Sequence, residues 1–339
     1  MEKTNQSENQ DFATLPELEG FTFRRFKDAK DYAQIAEVIM SNHEDPDTIP
    51  TTPEEIAQQY ANLSESDPKR DMLFVFNNEN MIAYGRISHR WEEDNQIWVY
   101  AWLNHVRKEW KGKDLEKVFA NWFEAQAKAI HFHLYPDQPG TLSVAFPNRK
   151  QNELNLFREL GYQPNRYFDD MIHDLQHIPE IPLPEGLELR PVIPGQIRMI
   201  WEASTHAFQD HWGYVSPTEE DYQSFISNKQ WFQPFLWQVA WDGDEIAGSI
   251  MNYINLHENE QKKRLRGYTE TISVQRKWRG KGLAKAMLSR SLKLMKLLNM
   301  QEAALGVDSE NPNHATKLYA DLGFQTESQT IVLRKSLTK

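Results

Sequence analysis

The sequence predicts an α/β protein of two tandem domains, each a mixed central sheet flanked by helices. Three features point there. Thr271–Ala284 reads TISVQRKWRGKGLA, a β-like run that breaks into a Gly-spaced turn before a long amphipathic segment. A fainter copy of the same organisation lies earlier in the chain, and a Pro-rich connector, HIPEIPLPEG at 177–186, separates the two. The predicted domains are residues 16–176 and 187–339. Each is long enough to bury a core.

In the first half, Met72–Asn77, Met81–His89 and Ile97–Val106 are β-rich runs, and the polar stretch Asn77–Asn80 marks a turn between the first two. Leu115, Val118, Phe119, Trp122 and Phe123 then follow i, i+3, i+4 spacing, which predicts a helix packed through an apolar stripe. The connector's prolines keep either domain's structure from running on. In the second half the strands are Leu236–Trp241, Glu245–Ile254 and Tyr268–Val274, with a turn at Asp242–Asp244. Leu283, Met287, Leu294, Met295 and Leu298 give the matching helical stripe, while Lys285, Lys293 and Lys296 fall elsewhere on its surface. His257–Glu260 reads as a solvated loop. Met1–Leu15 is polar and reads as a frayed tail.

The turn at 279–284 carries the chemistry. Two glycines one residue apart let successive N–H groups converge without Cβ interference, and the following helix directs its positive dipole end to the same spot. Arg279 and Lys281 add positive charge. A pyrophosphate-bearing ligand suits such a cradle, although an ordinary capped turn fits the same pattern. The dinucleotide fingerprint needs a third glycine where Lys285 stands, and a Walker loop needs Gly-Lys-Ser/Thr where Gly282 is followed by Leu283 and Ala284.

A second block, Asn311–Phe324 (NPNHATKLYADLGF), follows downstream. Together the two blocks resemble the GNAT superfamily of N-acetyltransferases, whose Q/R-x-x-G-x-G/A loop and N-x-x-A-x-x-L-Y-x-x-L-G-F helix they match in order and spacing. Lys277 stands where the family has Gln or Arg. The resemblance implies two GNAT-like domains and acetyl transfer from acetyl-CoA, as co-substrate, to an amine. It implies that the backbone of Ile272, Ser273 and Val274 pairs with the pantetheine arm and polarises the thioester, and that Arg279, Gly280, Lys281, Gly282, Leu283 and Ala284 hold the pyrophosphate. Asn311 would bond the cofactor, and Tyr319 would protonate the leaving thiolate; otherwise Tyr319 is a core aromatic. The tandem layout is similar to that of mycothiol synthase, without that substrate being carried over.

The chain also repeats itself. Val106–Leu115 echoes Val274–Leu283, Phe157–Tyr162 echoes Tyr319–Phe324, and Phe21–Phe26 echoes Leu187–Val192, at offsets of 168, 162 and 166 residues. The copies are unequal. Asp114 stands opposite Gly282, and its carboxylate would oppose a pyrophosphate by about 3 kcal/mol at 5 Å and an effective dielectric near 20. Phe157, without a hydroxyl, stands opposite Tyr319, and Arg149 opposite Asn311. The first half is therefore expected to keep the fold and lose the reaction; the alternative is that it takes a different acyl carrier.

An amine must lose a proton to attack. Alternation along Tyr268–Val274 puts Glu270 on the face of Ile272 and Val274, which nominates it as base over an idle surface carboxylate. Asp210, His211, Trp212 and Tyr214 fall in the segment that lines the acceptor pocket in this family, and read as recognition or proton relay, or else as a buried Trp beside a satisfied His.

Composition bounds the rest. The net charge of −11 argues against a nucleic-acid surface, and 40% hydrophobic residues against wholesale disorder. With no cysteine there is no disulfide, metal–thiolate site or acetyl-cysteine intermediate, so direct transfer to a small-molecule or peptide amine is expected, with no metal. No apolar run reaches a membrane span, and a cytoplasmic location is expected. The chain is expected to be a monomer with pseudo-dimeric halves or a homodimer. The alternative from another class is a non-catalytic acyl-CoA sensor or a structural two-domain protein.

Overall fold

The computed structural model describes residues 12–61, 63, 66–112, 114–311 and 314–338. Most of the tail, residues 1–11, lies outside the described residues, as do Lys113, Pro312 and Asn313. In the first half the elements are β1 (Thr22–Arg24), α1 (Asp31–Met40), α2 (Pro53–Ala61), α3 (Pro68–Asp71), β2 (Met72–Asn77), β3 (Asn80–Glu92), β4 (Ile97–Val106), α4 (Leu115–Leu134), β5 (Gly140–Pro147), α5 (Gln151–Glu159) and β6 (Gln163–His173). The second half repeats the scheme with β7 (Glu188–Leu189), α6 (Ile197–Ala207), α7 (Glu219–Ser227), β8 (Gln238–Asp242), β9 (Glu245–Tyr253), α8 (Leu256–Lys262), β10 (Arg266–Val274), α9 (Leu283–Leu297), β11 (Glu302–Asp308), α10 (Ala315–Asp321) and β12 (Gln325–Ser336).

Among the described residues the strands form one 12-stranded sheet, ordered β1-β2-β3-β4-β5-β12-β6-β11-β10-β9-β8-β7. The middle of that order is unexpected from sequence. β12, the last strand of the second half, pairs with β5 of the first, from Thr330↔Pro147 to Ser336↔Thr141, and β6 of the first half pairs with β11 of the second, from Ala303↔His173 to Asp308↔Phe168. The halves have exchanged their final strands. Packing follows: Ile331, Leu333 and Leu337 sit in the core around α4, while Met171 and Leu175 sit in the core around α9.

The predicted strands and turns take their places. Two details differ. The segment at 257–260 lies in α8 rather than a loop, because Asn255 accepts from the Glu258 N–H as its N-cap and buries Glu258 and Asn259 against the Arg264–Arg266 segment. Leu298 follows the end of α9 and is exposed; the buried stripe there is Leu283, Met287, Leu288, Leu292 and Met295. The connector is packed down, with Ser289 donating to the Pro179 carbonyl and Arg290 to that of Ile181.

Candidate active site

In each half a strand pair runs parallel and then splays. β10 and β11 are in register only from Arg266↔Glu302 to Tyr268↔Ala304. Beyond that point a cleft of about 850 Å³ opens between them. Its walls bring together Glu270, Ile272, Ser273 and Val274 of β10, Arg279, Gly280, Gly282, Leu283 and Ala284 of the turn, Asn311 and Tyr319, and also His211 and Phe208. Phe168 comes from β6, a strand of the first half. Residues scattered over 150 positions thus share one cavity.

The turn is open on its backbone side. Gly280 and Gly282 have φ of +73° and +84°, and a Cβ built on either would meet nothing within 4 Å. Gly282 caps α9, whose first-turn N–H groups are the free donors of any helix start. The Arg279 N–H turns back to the Arg276 carbonyl, and its guanidinium is already committed: it donates to the carbonyls of Val274 (3.1 Å) and Ala207 (2.8 Å) and to Asp210 (2.9 Å). Lys281 lies outside the cleft lining, with its Nζ 4.5 Å from the Trp278 ring centroid.

β10 carries a bulge. Glu270 pairs with Met251 and Ser273 with Ser249, so three steps on β10 match two on β9, with Thr271 at φ +49°. The extra residue reverses the alternation. Glu270 shares the face of Ser273 and Met251, and Ile272 and Val274 turn toward α9, contrary to the simple period-two expectation. All of them reach the cleft because it passes through the gap between the strands.

Glu270 accepts from the Gly306 N–H at 3.1 Å. Burial raises its carboxyl pKa to about 7; the Gly306 bond opposes the shift and the Asp170 carboxylate adds to it. Tyr319 is buried beside Phe324, and burial together with the Glu270 charge holds its phenol above its ordinary range. Burial, then the Arg279 charge, lowers the His211 pKa.

The four residues taken for the acceptor side separate. His211 lines the cleft. Asp210 is tied to Arg276 and Arg279, which hold its carboxyl well below the usual range. Trp212 stands behind Phe168, at a ring distance of 6.0 Å. The Tyr214 carbonyl accepts from the Glu93 N–H at the β3–β4 hairpin.

The corresponding place in the first half is filled. Gly112 and Asp114 repeat the backbone of Gly280 and Gly282, with φ of +73° and +61°, and Asp114 caps α4. The Gly112 N–H donates to the Glu116 carboxylate, where the second half has Ala284. β3 and β4 pair without a shift, so there is no bulge. Trp102, on the α4 side of β4, contacts Phe123 (5.5 Å) and Phe157 (5.4 Å). Among the described residues there is no group of three His, Cys, Asp or Glu side chains able to hold a metal, and no helix is long and apolar enough to cross a membrane.

Residues 198–324 match the model of the Acetyltransferase (GNAT) family. The mycothiol acetyltransferase of Pseudarthrobacter chlorophenolicus is 31% identical over 149 residues, 43% of this chain and 45% of that one. That of Paenarthrobacter aurescens is 29% identical over 205 residues, covering 59% and 62%. The chain thus spans about half the length of the curated relatives it matches. A GCN5-related N-acetyltransferase from Sphaerobacter thermophilus has a similar fold throughout, with a TM-score of 0.68 at 23% identity, covering 95% of this chain and 97% of that one. A tandem GNAT protein from the clavulanic acid biosynthesis pathway aligns at TM-score 0.63 and 12% identity, over 94% and 99%.

Proposed function

We propose, for a tandem chain of the GNAT superfamily, that it is an acetyl-CoA-dependent N-acetyltransferase whose single working site is the cleft of the C-terminal half. The observation that carries this is the continuity of one cavity, from the glycine turn at α9 past the β10 bulge to Glu270 and Tyr319. The residues present suit acetyl-CoA. Open glycines at 280 and 282 leave backbone donors for a pyrophosphate, and the bulged segment Ile272–Val274 leaves strand backbone beside the gap for a pantetheine arm. Arg279, Lys281, Leu283 and Ala284 frame that turn, and Asn311 faces it across the cleft. When bound, acetyl-CoA supplies an acyl group activated as its thioester.

The chain's own residues supply proton control. Glu270, with a pKa near neutrality, takes a proton from the incoming ammonium, either directly or through water. Tyr319 keeps its proton at neutral pH and delivers it to the departing thiolate. His211 borders the acceptor end, with Asp210, Trp212 and Tyr214 shaping the loop behind it. The first half is a scaffold, since Asp114, Glu116 and Trp102 occupy what would be its site. The acceptor is an amine-bearing small molecule or peptide, and a mycothiol-related amine belongs in the first panel tested.

Titration calorimetry with acetyl-CoA should give one site per chain. CoA thiol release should appear with one or more members of an amine panel. Tight binding with no thiol release from any amine would favour an acyl-CoA sensor, and binding at two sites would restore the first half.

A further inference from the structure

The loop between α6 and α7 is held from two sides: Asp210 by Arg276 and Arg279 of the second half, and Trp212–Tyr214 by residues of the first half and of the exchanged strand. Two guanidiniums pack against the Trp212 ring. Arg334 of β12 is 4.3 Å from its ring centroid and Arg166 of β6 is 5.6 Å away. Each arginine is anchored in turn. Arg334 is bidentate on Glu92 at 2.9 and 2.6 Å, and that carboxylate is fully buried at the end of β3. Arg166 is bidentate on Asp308 at 2.9 and 2.7 Å and also reaches Glu310. The next residue, Gly213, adopts φ +74° and donates to Asp94 at 3.0 Å; a Cβ there would stand 3.2 Å from Glu92 Oε1. The Glu93 N–H donates to the Tyr214 carbonyl at 3.0 Å. Phe208 and His211, whose rings lie 4.5 Å apart, are the residues this loop presents to the cleft.

We propose that Trp212, clamped by Arg166 and Arg334, is a positioning residue: with the β3–β4 hairpin it fixes loop 208–214 and so sets His211 and Phe208 at the acceptor end. The first half is then a working part of the second half's site. The inference rests on the cleft being an acyl-transfer site, but the clamp has a readout of its own. A desolvated guanidinium over an indole is among the stronger cation–π arrangements, and its anchoring carboxylates leave it little freedom to move. Fixing a loop beforehand removes an ordering cost that each acceptor would otherwise meet.

The experiment uses the full chain as wild type, Trp212→Ala, Trp212→Phe and Asp94→Ala. Hydrogen exchange of the 208–214 amides should accelerate about tenfold in Trp212→Ala, with partial return in Trp212→Phe and a smaller rise in Asp94→Ala. Exchange in α9 and β10 should be unchanged, and acetyl-CoA affinity should stay within about twofold, because Asp210 keeps its pairs with Arg276 and Arg279. With whichever of glucosamine, spermidine, lysine or tyramine the wild type acetylates best, KM for the amine should rise while kcat changes little. Unaltered exchange at 208–214 in both Trp212→Ala and Asp94→Ala would overturn the clamp, as would acceleration spread over the whole second half. If Trp212→Ala does not fold, Asp94→Ala, on an exposed hairpin, decides alone. If the wild type turns over no amine, the transferase reading fails while the exchange data still decide the clamp.

Discussion

Glu270 and Tyr319 have opposite needs, and one cleft serves both. On the proposed mechanism the carboxylate base must hold a proton near the working pH, and burial raises Glu270 to about 7. A phenol acid must not lose its proton early, and the same burial, reinforced by the Glu270 charge, raises Tyr319. The direction of the pH effect follows. Activity should be lost as pH falls through about 7, and Glu270→Gln should lower kcat and erase that limb of the profile; a limb that persists in the variant would assign the base elsewhere. Stability carries the opposite sign. A carboxyl whose folded pKa is raised binds its proton more tightly in the native state, so its contribution declines as pH climbs from the ordinary carboxyl range through about 7. Glu270→Gln should therefore melt above wild type at pH 8 and not at pH 4. For Tyr319→Phe, general-acid catalysis predicts a kcat loss of about a hundredfold with acetyl-CoA affinity nearly unchanged, measured by steady-state kinetics beside calorimetry.

Two helix starts with nearly the same backbone differ in what they offer an anion. Gly280–Gly282 presents open donors at α9, whereas Gly112–Asp114 at α4 has its own amide satisfied by Glu116 and adds the Asp114 charge. Gly282→Asp copies the first-half residue and should weaken acetyl-CoA binding at least a hundredfold, on the order of 3 kcal/mol; calorimetry showing native affinity would move the cofactor away from this turn. The converse operation should fail. Trp102→Ala should cost about 3 kcal/mol of stability as Phe123 and Phe157 lose the indole packed against them, and denaturant unfolding would read this, yet it should create no second acetyl-CoA site while Asp114 and Glu116 remain. Both helix starts were legible in the sequence, because glycines, charges and a 3.6-residue stripe are local signals. The bulge was not. Thr271 is an ordinary strand residue, and only the register against β9 shows that one residue is extra. α8 was hidden for a related reason: its sequence, LHENEQK, has almost no apolar periodicity, and its stability comes from the Asn255 cap and from buried polar contacts. That Asp210 is neutralised is not legible locally, because the two arginines that pair with it lie 66 and 69 positions along the chain.

At the scale of the molecule the exchange of β6 and β12 decides what can be separated from what. The repeat and the proline connector give a true picture of two similar units in sequence, and local pattern carries no information about which sheet a terminal strand joins. Register to the neighbour settles it. β6 carries Arg166 to Asp308 and Phe168 to the cleft, and β12 carries Arg334 to Glu92, so each half takes from the other a strand with a charged anchor. A segment of residues 187–338 alone would lack β6, exposing the β11 edge and the Met171 and Leu175 positions of its core, and would leave Asp308 without its arginine. The expected outcome is that this segment alone is insoluble or partly unfolded and binds acetyl-CoA poorly. Co-expression of residues 1–180 with 181–339, cut within the connector, should instead give a stable one-to-one heterodimer that binds acetyl-CoA once, because both strands can still cross over. Circular dichroism and size exclusion distinguish the outcomes. A folded, fully competent isolated second half would mean that the exchange contributes nothing to the site, and the clamp on Trp212 would fall with it.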